Sequence, residues 1–193
     1  MGLTPLVPGR YYHVYNRSIN SERIFLNDRN YRYFLGLMKK YLFPVAEFYS
    51  YVLLPDHFHL VLQIKEENML PCKYAEKPHL AFSHLFNAYT KAFNKLTGRR
   101  GSLFEKNFKR KEITGEPYLK NLILYVNTNP EHHGLRNWRH YPYSSLPEIL
   151  DKRYDFIDPA VIHHLFDDME NFRYLIERKR YNMEMIKELI FDE

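Results

Sequence analysis

Strand-forming residues and alternating hydrophobic positions occur in four separate stretches of the chain and predict β-strands there. The first covers residues 11–17, the second residues 45–54 and the third residues 57–64, and a fourth is expected within residues 104–113. Because only two residues separate the second strand from the third, we expect these two strands to be antiparallel. The pattern therefore predicts an antiparallel sheet.

Hydrophobic residues that recur every three or four positions predict three helices, over about residues 27–41, 80–96 and 116–130. The first helix has a capping residue at Asn27, and we expect the third to end at Asn129-Pro130. The element order β-α-β-β-α-β-α is that of a ferredoxin-like (split βαβ) sandwich with one additional helix. The predicted fold class is therefore α+β.

The pattern changes after Trp138, where several prolines interrupt a loop-rich segment. Helical periodicity resumes at Asp158, and acidic residues outnumber basic ones from there to the C-terminus. We therefore divide the chain into a domain of residues 1–150 and an acidic, helical C-terminal extension of residues 151–193.

The charge of the chain is unevenly distributed. The formal net charge is +5, but residues 1–150 carry 21 Lys and Arg against 12 Asp and Glu, whereas residues 151–193 carry 7 against 11. A basic body favours a polyanionic partner such as nucleic acid, although a merely solvated surface has the same charge pattern.

Several classes of protein are disfavoured by composition. Cys72 is the only cysteine, so the sequence offers no disulfide framework and no cysteine-based zinc site. No apolar stretch approaches the roughly 18 residues that a membrane helix needs, and the first ten residues lack the apolar run of a signal peptide. We expect a cytoplasmic protein without a membrane partner, associated with the nucleoid if its partner is DNA.

Two histidines in the third strand are the first candidate for chemistry. His57 and His59 are two residues apart, so both side chains point to the same face of the sheet, about 7 Å apart along the backbone. Two neutral imidazoles on one face can share a metal ion, but two ligands do not complete a site. A histidine pair that is only hydrogen-bonded or solvent-facing is the alternative at this point.

The third helix offers a further ligand and a nucleophile. Tyr125 and Asn129 are four residues apart and therefore neighbours on one helix face. If this face lies against the histidines, Asn129 can offer an amide oxygen, and the open coordination positions suit Mg²⁺ or Mn²⁺ engaged with a phosphate. A tyrosine beside a metal-bound phosphate can act as a nucleophile once its hydroxyl, of pKa about 10, is ionised. The alternative is a tyrosine at the edge of the core.

Basic residues cluster near the fourth strand and at the end of the first. Such residues can contact the phosphates of DNA, although they can equally form the solvated edge of a hairpin. The candidate DNA-binding residues are Arg17, Arg99, Arg100, Lys106, Lys109, Arg110 and Lys111.

Five motifs together resemble one known family. Residues 55–61 (PDHFHLV) resemble the His-hydrophobic-His motif of the single-tyrosine HUH transposases, which are similar to the transposases of the IS200 type. Residues 125–130 (YVNTNP) resemble the nucleophile helix of that family. Residues 12–17 (YHVYNR), 101–108 (GSLFEKNF) and 143–145 (YSS) are similar to the branch of REP-associated tyrosine transposases.

This resemblance covers about residues 8–147 and implies a metal-dependent endonuclease and strand transferase that acts on single-stranded, often hairpin-forming, DNA. It implies that Tyr125 forms a covalent 5′-phosphotyrosine and that His57, His59 and Asn129 hold the cation, Mg²⁺ or Mn²⁺. Some relatives are homodimers that exchange the nucleophile helix, and others are monomers.

Two questions stay open at the level of the sequence. The segment after about Asp151 does not align with the family pattern, so it can pack on the core, occlude the active site or mediate dimerisation. The second is catalysis itself, because a non-catalytic module that binds single-stranded nucleic acid on the same fold is the alternative function.

Overall fold

The computed structural model describes residues 4–135, 138–151, 153–184 and 187 of the chain. The predicted helical tail extends beyond these residues, so its end lies outside the described part. Among the described residues, no helix is both long and apolar enough to cross a membrane. The strands are β1 (Tyr11–Arg17), β2 (Ala46–Leu53), β3 (His57–Ile64) and β4 (Lys109–Ile113). The helices are α1 (Asp28–Tyr41), α2 (Cys72–Ala75), α3 (His79–Thr97), α4 (Glu116–His132), α5 (Leu146–Leu150), α6 (Pro159–Leu165) and α7 (Met169–Glu177).

The four strands form one antiparallel sheet in the order β2-β3-β1-β4. This is the strand order of a ferredoxin-like sandwich, in which each βαβ connection passes over a neighbouring strand. The predicted α+β fold class is therefore confirmed. In the register between β1 and β3, Arg17 lies opposite His57 and Tyr15 opposite His59.

One face of the sheet packs against α1 and α3 to form the main hydrophobic core. The Phe58 ring of β3 lies 5.3 Å from Phe34 of α1 and 5.6 Å from Phe86 of α3, measured between ring centroids. Because side chains alternate along a strand, His57 and His59 point to the opposite face.

The helix α4 covers that opposite face. The Asn127 side-chain amide donates a hydrogen bond of 3.0 Å to the Ser50 hydroxyl of β2, and Ser145 donates one of 2.8 Å to the Asn127 carbonyl oxygen. Ser50 pairs with Val61, which shares the face of His59. A buried polar network therefore fixes α4 on the histidine side of its own sheet.

The fourth strand is shorter than the stretch within which we expected it. Only Lys109–Ile113 are in the strand, whereas Phe104 forms an isolated bridge with Ser18 at the end of β1. Phe104 and Phe108 are both buried in the aromatic core, where Phe108 stacks on Phe82. Because these two large rings insert between the helices, residues 104–108 cannot continue along the sheet edge.

The prediction that the third helix ends at Asn129-Pro130 is wrong, because α4 continues to His132. Proline lacks an N–H group and so removes one helical hydrogen bond, but Pro130 lies in the last turn of the helix. Gly134, two residues after the last helical residue, has a φ of +69° and donates a hydrogen bond to the Glu131 carbonyl. A glycine in this left-handed conformation is a common helix terminator.

The described part of the C-terminal extension contains α6 and α7 and packs on the core. Asp158 caps α6 by accepting a hydrogen bond of 2.8 Å from the Ala160 N–H. Phe166 and Phe172 are buried in the same hydrophobic core as the sheet. Packing on the core was one of the three arrangements that the sequence left open.

The buried carboxyl of Glu148 joins this extension to α5. One of its oxygens accepts hydrogen bonds from the backbone N–H groups of Phe156 (3.1 Å) and Ile157 (2.7 Å). Burial raises the pKa of Glu148 to about 7, although the two N–H donors oppose this shift.

We expect Glu148→Gln to remove a pH-dependent part of the stability. The raised pKa means that Glu148 stabilises the folded state fully below about pH 4.5 and loses this contribution as the pH rises through about 7. Between pH 4.5 and 8, the unfolding free energy of the wild type should therefore fall by up to about 3 kcal/mol relative to that of Glu148→Gln. Urea denaturation at several pH values measures this difference.

The exposed Glu170→Gln is the matched control and should keep the wild-type pH profile. A constant difference between wild type and Glu148→Gln across this range would contradict the shifted pKa.

Candidate active site

A cavity of about 140 Å³ opens where β1 ends and β3 begins. It is lined by both predicted histidines, by Arg17 and Lys109 from the basic set, and by His133 just after α4. The structure therefore brings a histidine pair, two cationic side chains and the end of α4 to one place.

The two histidines lie on one face, as the sequence predicts. The rings of His57 and His59 are nearly perpendicular, with 5.2 Å between their centroids. His59 is only 1% exposed, and the Nε2 atoms of both rings are buried.

In each ring, Nδ1 makes a hydrogen bond. Nδ1 of His57 lies 2.8 Å from an Asp56 carboxylate oxygen, and Nδ1 of His59 lies 3.0 Å from Nε2 of His13. Since a carboxylate can only accept, Nδ1 of His57 carries a proton, and in the neutral ring the lone pair is on Nε2. Such partners fix the tautomer and orientation of metal-binding histidines in proteins.

His13 is a further histidine beside this pair. It is completely buried in β1, and Tyr15 stacks on it with 4.8 Å between the centroids and on His59 with 5.7 Å. The sequence signal for this location was the position of His13 in β1, two residues before Tyr15. The pairing of β1 with β3 places Tyr15 opposite His59.

The environment keeps His57 neutral. Burial, together with the neighbouring His59 and His133, lowers the pKa of His57 to about 4, although Asp56 opposes this shift. Near neutral pH this imidazole is therefore uncharged and can offer a lone pair to a cation.

Asn129 is buried in α4 with an unsatisfied side chain. Its exposed fraction is 0%, and among the described residues neither its amide oxygen nor its amide nitrogen has a hydrogen-bond partner. Leaving a buried amide unsatisfied costs about 1–3 kcal/mol per group, so a ligand or an ordered water that binds this side chain would stabilise the folded chain. One turn further on, the His133 ring lies 4.6 Å from the His57 ring, which places Asn129 near the histidine cavity.

Tyr125 is also buried in α4, with 4% of its surface exposed. Its ring stacks on His132 at 5.3 Å and meets the edge of Tyr181 at 5.9 Å. Tyr181 in turn lies in hydrogen-bonding contact with His132, at 2.9 Å, and with the Thr128 hydroxyl, at 3.4 Å. Tyr181 of the C-terminal extension therefore covers this tyrosine, and occlusion of the active site was one of the arrangements that the sequence left open.

The predicted DNA-binding residues of β4 fall on two faces of the sheet. Lys109 and Lys111 lie opposite Tyr15 and His13, which places them on the histidine face. Arg110 lies on the other face, where it donates a hydrogen bond to the Thr4 carbonyl and its guanidinium lies 4.8 Å from the Phe108 ring.

The other predicted DNA-binding residues lie around the ends of β1 and α3. Arg17 pairs with Glu105 at 2.6 Å beside the histidine cavity. Arg99 pairs with Glu22 at 2.9 Å, and Arg100 and Lys106 are exposed on the adjoining segment. The basic residues therefore do not form one continuous patch, and their contact with DNA stays a prediction.

The donor set determines which metal this site fits. Within the described residues, no group of three or more His, Cys, Asp or Glu side chains is arranged to hold a metal ion. The candidate set contains only two side chains of these types, His57 and His59, and would take its third ligand from the Asn129 amide. Two imidazoles and one amide fit a cation that keeps open positions better than a closed structural zinc site.

Comparisons with known proteins support the fold. The structure is similar to a solved structure of a REP-associated tyrosine transposase bound to a REP hairpin, with a TM-score of 0.59. The two sequences are 16% identical, and the similarity covers 79% of this chain and 86% of the other. No family model and no curated protein sequence matches this chain. At this identity the likeness demonstrates the shared fold.

We expect Asp56 to control the protonation of His57. In the metal-free protein, ¹⁵N NMR should show His57 as the Nδ1–H tautomer with a titration midpoint near pH 4. Asp56→Ala should lower the pKa of His57 further and remove the preference for this tautomer, because the carboxylate is the group that raises that pKa.

Glu105→Ala is the control, since Glu105 borders the same cavity but pairs with Arg17. An unchanged His57 tautomer in Asp56→Ala would show that another group holds the ring.

Proposed function

We propose that this chain is an endonuclease and strand transferase for single-stranded DNA that uses Tyr125 as its nucleophile. The observation that carries the proposal is the buried amide of Asn129, which has no hydrogen-bond partner among the described residues and lies on the helix that covers the histidine face. His57 and His59 present buried Nε2 atoms on that face. Buried polar atoms of this kind are typical of a binding site and rare in a purely structural core.

His57, His59 and Asn129 would hold a divalent cation, Mg²⁺ or Mn²⁺. When bound, such a cation would polarise the scissile phosphate and stabilise the charge that develops on it. Asp56 and His13 orient the two imidazoles, so both rings are preorganised before a ligand enters.

The protein's own residues supply the remaining chemistry. The Tyr125 hydroxyl loses its proton to solvent and its oxygen attacks the phosphorus atom, the bond from phosphorus to the 3′-oxygen breaks, and the 3′-oxygen takes up a proton from solvent. The product is a 5′-phosphotyrosine and a strand with a free 3′-hydroxyl. Attack by a 3′-hydroxyl reverses the step and joins strands, because the covalent bond retains the energy of the original ester.

Two features of the structure bear on the substrate and on assembly. Arg17 and Lys109 line the histidine cavity and can contact the phosphates of a strand that enters it. The structural neighbour is bound to a hairpin, which supports hairpin DNA as the substrate. Asn127 holds α4 on the sheet of its own chain, which supports a site built from the residues of one chain.

The burial of Tyr125 favours one alternative, a non-catalytic module that binds single-stranded nucleic acid. A tyrosine with 4% exposure cannot reach a phosphate unless Tyr181 or α4 moves. This alternative predicts DNA binding that is independent of divalent metal and of the Tyr125 hydroxyl.

We expect Tyr125→Phe to abolish covalent attachment to DNA while binding stays nearly unchanged. The variant loses only the hydroxyl, so the ring contacts with His132 and Tyr181 are kept. The protein is incubated with Mn²⁺ and a hairpin oligonucleotide that is labelled at its 5′ or its 3′ end. A denaturing gel then measures the covalent adduct.

Tyr154→Phe is the matched control, because Tyr154 is 77% exposed. An adduct that persists in Tyr125→Phe would refute the assignment of the nucleophile. Binding without an adduct in any variant, including the wild type, would favour the non-catalytic alternative.

We expect Asn129→Leu to lower metal affinity without lowering stability. Leucine is similar in volume and removes a buried amide that has no hydrogen-bond partner among the described residues, so the unfolding free energy should stay equal or rise. Loss of a ligand should reduce Mn²⁺ affinity at least about tenfold. Isothermal titration calorimetry and urea denaturation measure the two effects separately.

Asn129→Asp keeps an oxygen ligand and should retain Mn²⁺ binding. Wild-type Mn²⁺ affinity in Asn129→Leu would remove Asn129 from the ligand set, and a large loss of stability would assign it a structural role instead.

A further inference from the structure

Another cavity, of about 240 Å³, lies where α1, α5 and the start of the C-terminal extension meet. Asp28 and Arg32 line it from α1, Glu148 from α5, and Asp155 and Phe156 from the extension. Its described lining residues include none of those that line the histidine cavity. The cavity is therefore separate from the candidate active site, and an occupant would contact both the domain and its extension.

Two polar side chains that line this cavity are almost completely buried. Glu148 and Tyr51 of β2 are each 4% exposed. One carboxyl oxygen of Glu148 accepts from the N–H groups of Phe156 and Ile157. Neither its other oxygen nor the Tyr51 hydroxyl has a hydrogen-bond partner in the described part of the chain. Because both side chains line the cavity, these two atoms are available to an occupant.

The charge in this cavity is unbalanced at Glu148. The other charged lining residues each form an ion pair, namely Asp28 with Arg32 at 2.6 Å, Asp155 with Lys39 at 2.9 Å, and Arg153 with Asp151 at 3.4 Å. Glu148 lines the cavity without a cationic partner at ion-pair distance among the described residues. An anion would have to lie beside this buried carboxylate, whereas a cation would compensate its charge.

The electrostatics of the two buried groups support a cationic occupant. Burial, with a smaller contribution from Asp155, raises the pKa of Glu148 to about 7, although the two N–H donors and Lys39 oppose this shift. Burial also raises the pKa of Tyr51, and the charges of Glu148 and Asp155 contribute, which places the Tyr51 hydroxyl near both carboxyl groups. A positive charge between these groups would favour the ionised form of Glu148.

The remaining lining residues determine which kind of cation fits. Leu35, Pro147 and Phe156 supply apolar surface, and the rings of Phe156 and Tyr51 lie 5.1 Å apart between centroids. A divalent metal ion takes roughly six to eight oxygen ligands, whereas the cavity offers one unpaired carboxylate and a phenol hydroxyl. A primary ammonium group has three N–H donors and no acceptor, which suits these two atoms. An alkyl chain on that group would cover the apolar surface.

We propose that this cavity binds a small primary alkylamine in its protonated form. The ammonium group donates hydrogen bonds to the second carboxylate oxygen of Glu148 and to the Tyr51 hydroxyl, and the alkyl chain packs against Leu35 and Phe156. Hydrogen bonds between charged groups are strong in such a buried setting. Binding requires neither DNA nor metal, so this inference is independent of the proposed function.

Titration of the full-length chain with propylammonium chloride, followed by ¹H–¹⁵N NMR at about pH 8 where Glu148 is ionised, tests the proposal. The amide signals of Phe156 and Ile157 should shift and saturate, because both N–H groups donate to Glu148. Glu148→Gln should weaken binding at least about tenfold, since a hydrogen bond to a charged group is lost. Glutamine keeps an oxygen for the two N–H groups, so the variant should fold. Tyr51→Phe should weaken binding about threefold.

Two exposed positions of α7 give matched controls. Glu170→Gln and Tyr174→Phe make the same chemical changes outside the cavity and should keep the wild-type affinity. Propan-1-ol has the same chain without the charge and should cause no saturable shift of the Phe156 and Ile157 signals. Wild-type affinity in Glu148→Gln, or equal shifts with propan-1-ol, would overturn the proposal. Tighter binding of Mg²⁺ at the same signals would overturn the class of ligand.

The pH dependence of binding gives a second readout. Glu148 must be ionised to pair with the ammonium group, so the affinity for propylammonium should rise about tenfold between pH 6 and 8. The amine itself stays protonated in this range, because the pKa of an alkylamine is about 10. The charged groups that face Glu148 and Tyr51 are Lys39 of α1 and Asp155 and Arg153 of the extension. A wild-type affinity that is constant with pH would contradict pairing with Glu148.

The two proposals fail in different ways. A wild type in which the Phe156 and Ile157 signals show no saturable shift would refute amine binding and leave the nuclease unaffected. A wild type that binds propylammonium but forms no covalent adduct with DNA would refute the nuclease and leave the amine site supported.

Discussion

The alternation of side chains along β1 and β3 is the constraint on which the structure depends. It sends Phe58 into the aromatic core and sets His57 and His59 on the other face of the same strand, so the position of the core fixes the position of the imidazoles. Antiparallel pairing then adds His13 from β1 beside His59. A slip of one residue in the register would move the hydrophobic side chains of a strand to the histidine face. The burial of these side chains therefore favours a single register.

The helix α4 covers the polar face of the sheet, and the buried polar groups between them need hydrogen-bond partners. Not all of them have such partners in the described part of the chain. The Asn127 amide meets hydroxyls of Ser50 and Ser145, so this part of the helix is held by satisfied hydrogen bonds. Two residues later, the Asn129 amide lacks a hydrogen-bond partner among the described residues. Most polar groups between α4 and the sheet are hydrogen-bonded, and the Asn129 amide is an exception. Such an exception is expected where a residue is kept for function at a cost in stability. The buried Tyr125 is the second such position, since the proposed nucleophile would have to become accessible.

The sequence predicted the fold well because local periodicity carries most of it. The bounds of β1 and β3 agree with the strand pattern, and the β-α-β-β-α-β order led directly to the observed strand order. The error lies at the end of α4, which continues past Pro130 to His132. The fourth strand lies within the expected stretch 104–113, but local pattern did not separate its residues from Phe104 and Phe108, which are buried in the core through contacts with residues distant in the sequence.

The sequence by itself determined which residues share a face: His57 with His59, and Tyr125 with Asn129, because these spacings follow from backbone geometry alone. Only the tertiary structure decided which elements meet. It placed α4 on the histidine side, covered Tyr125 with Tyr181, and separated the basic residues of β4 between two faces. Such contacts join residues far apart in the sequence, and they depend on how the whole chain packs, which no local pattern encodes.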